Sequence, residues 1–220
     1  MTIVQPDGYF ALPEVGKGPG VLVLHAWWGL NPFFKDLCNR LAREGFVAFA
    51  PDLYHGKLAT TFSEAEILRD RLEQKQADTN INGAIEYLLG LSAMTSTSLA
   101  VIGFSLGAYF ALRVSCQRPQ DIRFVVIFYG IGSGDYASAQ AAYSGHFAES
   151  DEFEPASEVK RLEKHLRSAN RPVKFYTYPG TSHWFFEADR ADAYNAEAAG
   201  LAWQRTVESL RAAFALEANH

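Results

Sequence analysis

The chain has 220 residues, 48% hydrophobic and 20% charged, enough to bury a full core as one domain over residues 1–220. Its formal net charge of -5 comes without the clustered positive field that a nucleic acid or an anionic membrane surface would require. Met1 to Val15 lacks a basic start followed by an apolar core, and no apolar run approaches a membrane span. No nucleic-acid or membrane partner is therefore expected, and the expected location is cytoplasmic, with a monomer favoured.

Strands and helices alternate along the chain. Gly20 to His25 is a continuous apolar run suited to a strand covered on both faces, and Phe46 to Ala50 repeats the pattern. A helix is predicted between them, capped by Asn31 and opened by Pro32, where a missing amide hydrogen costs nothing; Phe34, Leu37, Cys38 and Leu41 form its buried stripe. Ser63-Glu64-Ala65-Glu66 has capping-box spacing ahead of a helix to about Gln74, and Ile81 to Leu89 reads as another. Strands follow at Leu99–Ile102, Phe124–Tyr129, Tyr143–Ala148 and Val173–Tyr178, with helices at about Pro155–Arg167 and Ala191–Ala215. This order predicts an α/β fold: a mostly parallel central sheet with helices on both faces and no separate cap domain. In such sheets ligands bind at the carboxyl ends of the strands.

The most informative local feature is Gly103-Phe104-Ser105-Leu106-Gly107, entered from an apolar strand and left through the helix-forming run Ala108-Tyr109-Phe110-Ala111-Leu112. A strand that turns directly into a helix strains the residue at the corner, and glycine two positions to either side lets the two elements close around it. The Ser105 hydroxyl is thereby exposed beside a helix N-terminus, whose amides can stabilise an oxyanion. A base and an acid are then expected at later strand ends. Asp151 follows the strand ending near Ala148, and His183 follows the strand ending near Tyr178. Ser105, Asp151, His183 is the chain order of an α/β-hydrolase triad. In it His183 takes the serine proton and returns it to the leaving group, while Asp151 fixes the imidazole tautomer and stabilises the imidazolium.

These segments together resemble the dienelactone hydrolase family. The likeness runs from Pro19-Gly20-Val21-Leu22-Val23-Leu24-His25-Ala26-Trp27-Trp28-Gly29 through Pro51-Asp52-Leu53-Tyr54 and the Ser105 elbow to Tyr178-Pro179-Gly180-Thr181-Ser182-His183. The resemblance implies an α/β-hydrolase fold, an ester or lactone substrate and an oxyanion hole built from the backbone amides of Trp27 and Leu106. Members usually carry a cysteine nucleophile and a glutamate beside the resting thiol; the matching positions here are Ser105 and Ala26. Both departures point to a serine variant, because a carboxylate that manages a thiol has no clear use beside a hydroxyl served by His183. The expected reaction is hydrolysis of a carboxylic ester or lactone through an acyl-serine, the alternatives being dienelactone hydrolysis proper and a catalytically silent binding protein.

Trp28 and Trp184 are expected to wall the substrate pocket. Family members hold a substrate carboxylate with arginines, one of them four residues after the base, where this chain has Glu187; a like charge there would disfavour carboxylate-bearing substrates. Arg190 is nearby in sequence, Arg69 and Arg71 are expected on a helix that can face the site, and none is assigned the role. His25 is expected either to orient its loop through a backbone hydrogen bond or to be a satisfied core histidine, His55 to lie on a surface loop, His146 in a strand and His165 on a charged helix. Glu149, Asp151, Glu152 and Glu154 lack the spacing of a calcium loop, no zinc-type grouping or Gly-x-Gly-x-x-Gly motif occurs, and no metal or cofactor is expected. Cys38 and Cys116 read as buried reduced thiols.

Overall fold

The computed structural model describes residues 4–215. Seven strands form one sheet in the order β1-β3-β2-β4-β5-β6-β7. They are β1 (Gly8–Ala11), β2 (Gly18–Leu24), β3 (Val47–Pro51), β4 (Met94–Phe104), β5 (Ile122–Phe128), β6 (Ala142–Ala148) and β7 (Val173–Tyr178). β1 pairs antiparallel with β3 at one edge, and every other pairing is parallel. The helices are α1 (Pro32–Arg43), α2 (Phe62–Arg71), α3 (Gln74–Leu89), α4 (Leu106–Gln117), α5 (Ala156–Ser168) and α6 (Ala196–Ala215).

Side chains on a strand alternate between faces, and β2 shows how this divides the core. Val21 and Val23 pack with Leu37 and Leu41 of α1 and Leu210 and Phe214 of α6. Leu22 and Leu24 pack with Ile81 and Leu88 of α3, Leu112 of α4 and Leu162 of α5. Two apolar cores thus hold the sheet from opposite sides, which is why its central strands read as unbroken apolar runs. Among the described residues, no helix is long and apolar enough to cross a membrane.

Several boundaries differ from the sequence expectation. β1 was not anticipated. The α2 cap is Thr61 and not Ser63: its hydroxyl accepts from the Glu64 amide, and the Glu64 carboxylate accepts from the amides of Thr60 and Thr61. α2 stops at Arg71 and α3 starts at Gln74, well before Ile81. α6 starts at Ala196, five residues later than expected, behind an Asn195 side chain that accepts from the Ala198 amide. α1 follows the prediction, with Pro32 in its first turn and the Asn31 side chain accepting from the Phe34 amide.

The sheet register brings the site together. Leu24 pairs with Gly103, and Phe104 with Phe128, so the loops after β2, β4 and β5 leave the sheet at one level. On the other half, Ala148 pairs with Tyr178, so the loops after β6 and β7 leave side by side.

Candidate active site

Ser105 stands between β4 and α4 with φ 49° and ψ -111°, a left-handed conformation that a non-glycine residue rarely adopts. Close packing on both sides over-determines this corner. A Cβ on Gly107 would lie 2.1 Å from the Leu24 carbonyl oxygen, and one on Gly103 would lie 2.4 Å from the Gly107 carbonyl oxygen. The Ser105 amide donates to the Phe128 carbonyl at 2.9 Å. Glycine at 107 therefore sets the first turn of α4 directly against the end of β2, where the Ala26–Trp27 segment begins.

The loops after β6 and β7 supply the partners. Thr181 links them: its hydroxyl donates to the Tyr178 carbonyl at 2.6 Å, and its own carbonyl accepts from the Ser150 amide at 3.1 Å. One Asp151 oxygen accepts from the amides of Phe153 and Glu154 at 2.9 and 3.0 Å, which fixes the carboxylate in a local turn. The acidic run is thus wrapped around one aspartate whose side chain is only 4% exposed. His183 Nδ1 lies 2.8 and 3.0 Å from the two Asp151 oxygens, and its Nε2 lies 2.9 Å from Ser105 Oγ. With Nδ1–H donating to the carboxylate, Nε2 is the acceptor that faces the serine hydroxyl. The structure thus brings Ser105, Asp151 and His183 into one hydrogen-bonded line.

The amide of Leu106 opens α4 and so has no partner within the helix. The opposite loop is held by His25, fully buried, whose Nδ1 lies 2.7 Å from the Ala26 carbonyl oxygen while its Nε2 accepts from the Leu53 amide at 3.2 Å. These partners require Nδ1–H and a neutral ring, and burial lowers the pKa of His25 in the same direction. Both sequence readings of His25 meet here: it is a buried histidine satisfied by backbone groups, one of them in the Ala26 loop. His55 is on the surface with Asp7 and Asn80. His146 is buried in β6 between the Tyr178 hydroxyl and Thr206, its pKa pushed down to about 3 by burial. His165 sits on α5 against the edge of Tyr136.

Trp28 and Trp184 do lie beside the site, joined by Trp27 and by two rings that the sequence reading did not single out, Phe62 and Phe153. Phe153, two residues after Asp151, was the more legible of the two.

Glu187 requires a correction. It does not face substrate as a charged group; it is fully buried, and Tyr129 donates to its Oε1 at 2.8 Å. Burial, the dominant cause, pushes its pKa up to about 8. The reason is local: the Glu187 amide donates to the Trp184 carbonyl in a tight turn that folds the side chain back under the site. Arg69 and Arg190 reach the aromatic cluster, lying 5.6 Å over Trp27 and 3.9 Å over Trp28, whereas Arg71 lines a separate cleft with Tyr54 and His55. Among the described residues no group of histidine, cysteine and carboxylate side chains could hold a metal ion.

A mostly parallel sheet with a serine at the strand-to-helix corner after β4, and the acid and histidine in the loops after β6 and β7, defines an α/β-hydrolase. The dienelactone hydrolase family profile matches residues 7–214, and the chain belongs to that family. It is 34% identical over 213 residues to Protein usf of Aquifex pyrophilus, covering 93% of this chain and 92% of that one. A provisionally named carboxymethylenebutenolidase of Aquifex aeolicus is 31% identical over 213 residues, with the same coverage. The fold is shared with a metagenomic dienelactone hydrolase-like promiscuous phosphotriesterase, P91, at a TM-score of 0.81 and 20% identity over 93% of this chain and 95% of that one.

Proposed function

We propose that the protein hydrolyses carboxylic esters or lactones through an acyl-enzyme on Ser105. The observation that carries this reading is the position of His183, within hydrogen-bond reach of both Ser105 Oγ and the buried Asp151 carboxylate. In the first half-reaction Ser105 Oγ attacks the carbonyl carbon as His183 Nε2 accepts the serine proton, and the amides of Trp27 and Leu106 stabilise the oxyanion. Collapse expels the alcohol, which takes the proton from Nε2. Water then repeats the sequence, releasing the acid and restoring the serine. Throughout, Asp151 holds the tautomer and stabilises the transient imidazolium.

Neither Cys38 nor Cys116 offers a rival nucleophile. Burial pushes the Cys38 thiol up to about 12 and raises that of Cys116 as well, so neither presents a thiolate at neutral pH. The small, fully buried Ala26 fits the same serine chemistry, since a glutamate placed there would need a partner for its charge. Treatment with a fluorophosphonate tests the proposal. Peptide mass spectrometry is expected to find the adduct on Ser105, with parallel loss of ester hydrolysis; an adduct elsewhere, or none on folded protein, would overturn it.

A further inference from the structure

Three of the four tryptophans in the chain, Trp27, Trp28 and Trp184, meet beside Ser105 and His183. Trp27 and Trp184 stack with planes 18° apart and centroids 5.9 Å apart. Phe62 stands among all three, with centroids 6.1 Å from Trp27 and 5.5 Å from both Trp28 and Trp184. Phe153 touches Trp27, Trp184 and the His183 imidazole itself at 4.9 Å.

Exposure separates these rings into two kinds. The tryptophans are at most 7% exposed, but Phe62 is 51% and Phe153 42% exposed. Phe62 opens α2, whose only buried residue is Ala65. Its ring can therefore leave its place without unpacking a core. The tryptophan indoles carry a second signal. The N–H groups of Trp27, Trp28 and Trp184 are all buried without an acceptor, although buried donors are rarely left unpaired. Unpaired donors on all three indoles favour a ligand that carries an acceptor over a pure hydrocarbon.

Charge narrows the ligand further. A cleft of about 360 Å³ that runs from Phe62 and Trp184 to His183 carries Glu152 and Asp192 but no lysine or arginine, which opposes an anion. Arg69 and Arg190 lie over Trp27 and Trp28, so a cationic ligand would meet like charge on that side just as an anion would meet Glu152 and Asp192 on the Trp184 side, and neither sign of net charge suits both.

We propose that Trp27, Trp28 and Trp184 form a subsite for an uncharged, planar aromatic group bearing an acceptor oxygen, and that the Phe62 ring holds that seat in the free enzyme. This rests on the ester-hydrolase reading and names its substrate class: neutral aromatic esters. Stacking and edge contacts with the indoles favour a flat ring over a puckered one of similar size.

Acetophenone and cyclohexyl methyl ketone, matched in size but differing in the ring, are the probes, titrated by intrinsic tryptophan fluorescence into the full-length protein and into Ser105→Ala. Acetophenone is expected to quench emission and bind at least fivefold more tightly than the cyclohexyl ketone. Phe62→Ala, which empties the seat, tightens acetophenone binding several-fold, and Trp184→Leu abolishes the preference. Benzoate and tetramethylammonium bind at least tenfold more weakly than acetophenone. Equal binding of the two ketones, absence of quenching, tighter binding of either ion, or weaker acetophenone binding by Phe62→Ala would overturn the subsite. Ring preference in a protein that hydrolyses no ester would count against the ester-hydrolase reading alone, and an active esterase without ring preference would count against the subsite alone.

Discussion

Replacing Glu187 with Gln is expected to stabilise the protein at alkaline pH while leaving it nearly unchanged in mild acid. The carboxyl is fully buried, accepts from Tyr129 at one oxygen, and has no partner at the other; the charges nearest it belong to Asp189 and Arg190. Burial holds its proton up to about pH 8, whereas in the unfolded chain the same group ionises near its ordinary value of 4.5. Between those values the unfolded chain releases a proton that the native protein keeps, so rising pH destabilises the fold. The loss is about 1.4 kcal/mol per pH unit and accumulates to roughly 4–5 kcal/mol. That is a large share of the 5–15 kcal/mol by which domains are typically stable. Glutamine keeps the shape and the acceptor for Tyr129 but cannot ionise. Urea unfolding of both proteins between about pH 5 and pH 8 should therefore give a stability difference that grows to roughly 3–5 kcal/mol in favour of Glu187→Gln. Other titrating groups, such as Glu154, are common to both proteins and cancel to first order. A difference that stays flat with pH, or wild type being the more stable at pH 8, would mean that Glu187 is ionised and paired, with Arg190 as the partner, and would refute the reasoning.

Asp151→Asn is expected to lower kcat by about 10³- to 10⁴-fold, because the amide stabilises the wrong imidazole tautomer, while far-ultraviolet circular dichroism stays unchanged since its oxygen can still accept from Phe153 and Glu154. Gly107→Ala should drop Tm steeply or yield insoluble protein, because its Cβ would overlap the Leu24 carbonyl at 2.1 Å; an unchanged Tm would show that α4 is not pinned against β2. Iodoacetamide should leave ester hydrolysis intact, with Cys38 unlabelled in native protein by mass spectrometry; inactivation that tracks labelling would point to a cysteine nucleophile.

What was legible in the sequence was what local patterns determine. The strained corner at Ser105 needs glycines at fixed offsets, and the Asn31-Pro32 start of α1 is set by groups within one turn, so both could be read without knowing the neighbours. β1 has only four residues and owes its existence to pairing with β3, a partner nearly forty positions away. At α2, both Thr61-x-x-Glu64 and Ser63-x-x-Glu66 match a capping box; burial of Ala65 accompanies the first, and such tertiary information is absent from the pattern. Glu187 was misread for the same reason. A carboxylate four residues after the histidine looks like a pocket charge, and only the turn closing on Trp184 reveals that it points into the protein behind Tyr129.

The same distinction bears on why a serine can serve at this site. On the acyl-serine reading, the groups around Ser105 must activate a neutral hydroxyl only when substrate arrives, so the Ala26 loop and the Tyr129 wall behind His183 should hold no standing charge other than the Asp151 carboxylate. The surroundings meet that demand. Ala26 is apolar and fully buried, its carbonyl taken by a neutral His25, and Glu187 keeps its proton at neutral pH behind Tyr129, whose ring packs 4.9 Å from His183. Aromatic rings cover much of the remaining wall, and a low-dielectric wall strengthens hydrogen bonds to a developing oxyanion. An extra carboxylate at position 26, useful beside a thiol, would here place a second negative charge close to the forming oxyanion and oppose the step that the backbone amides favour.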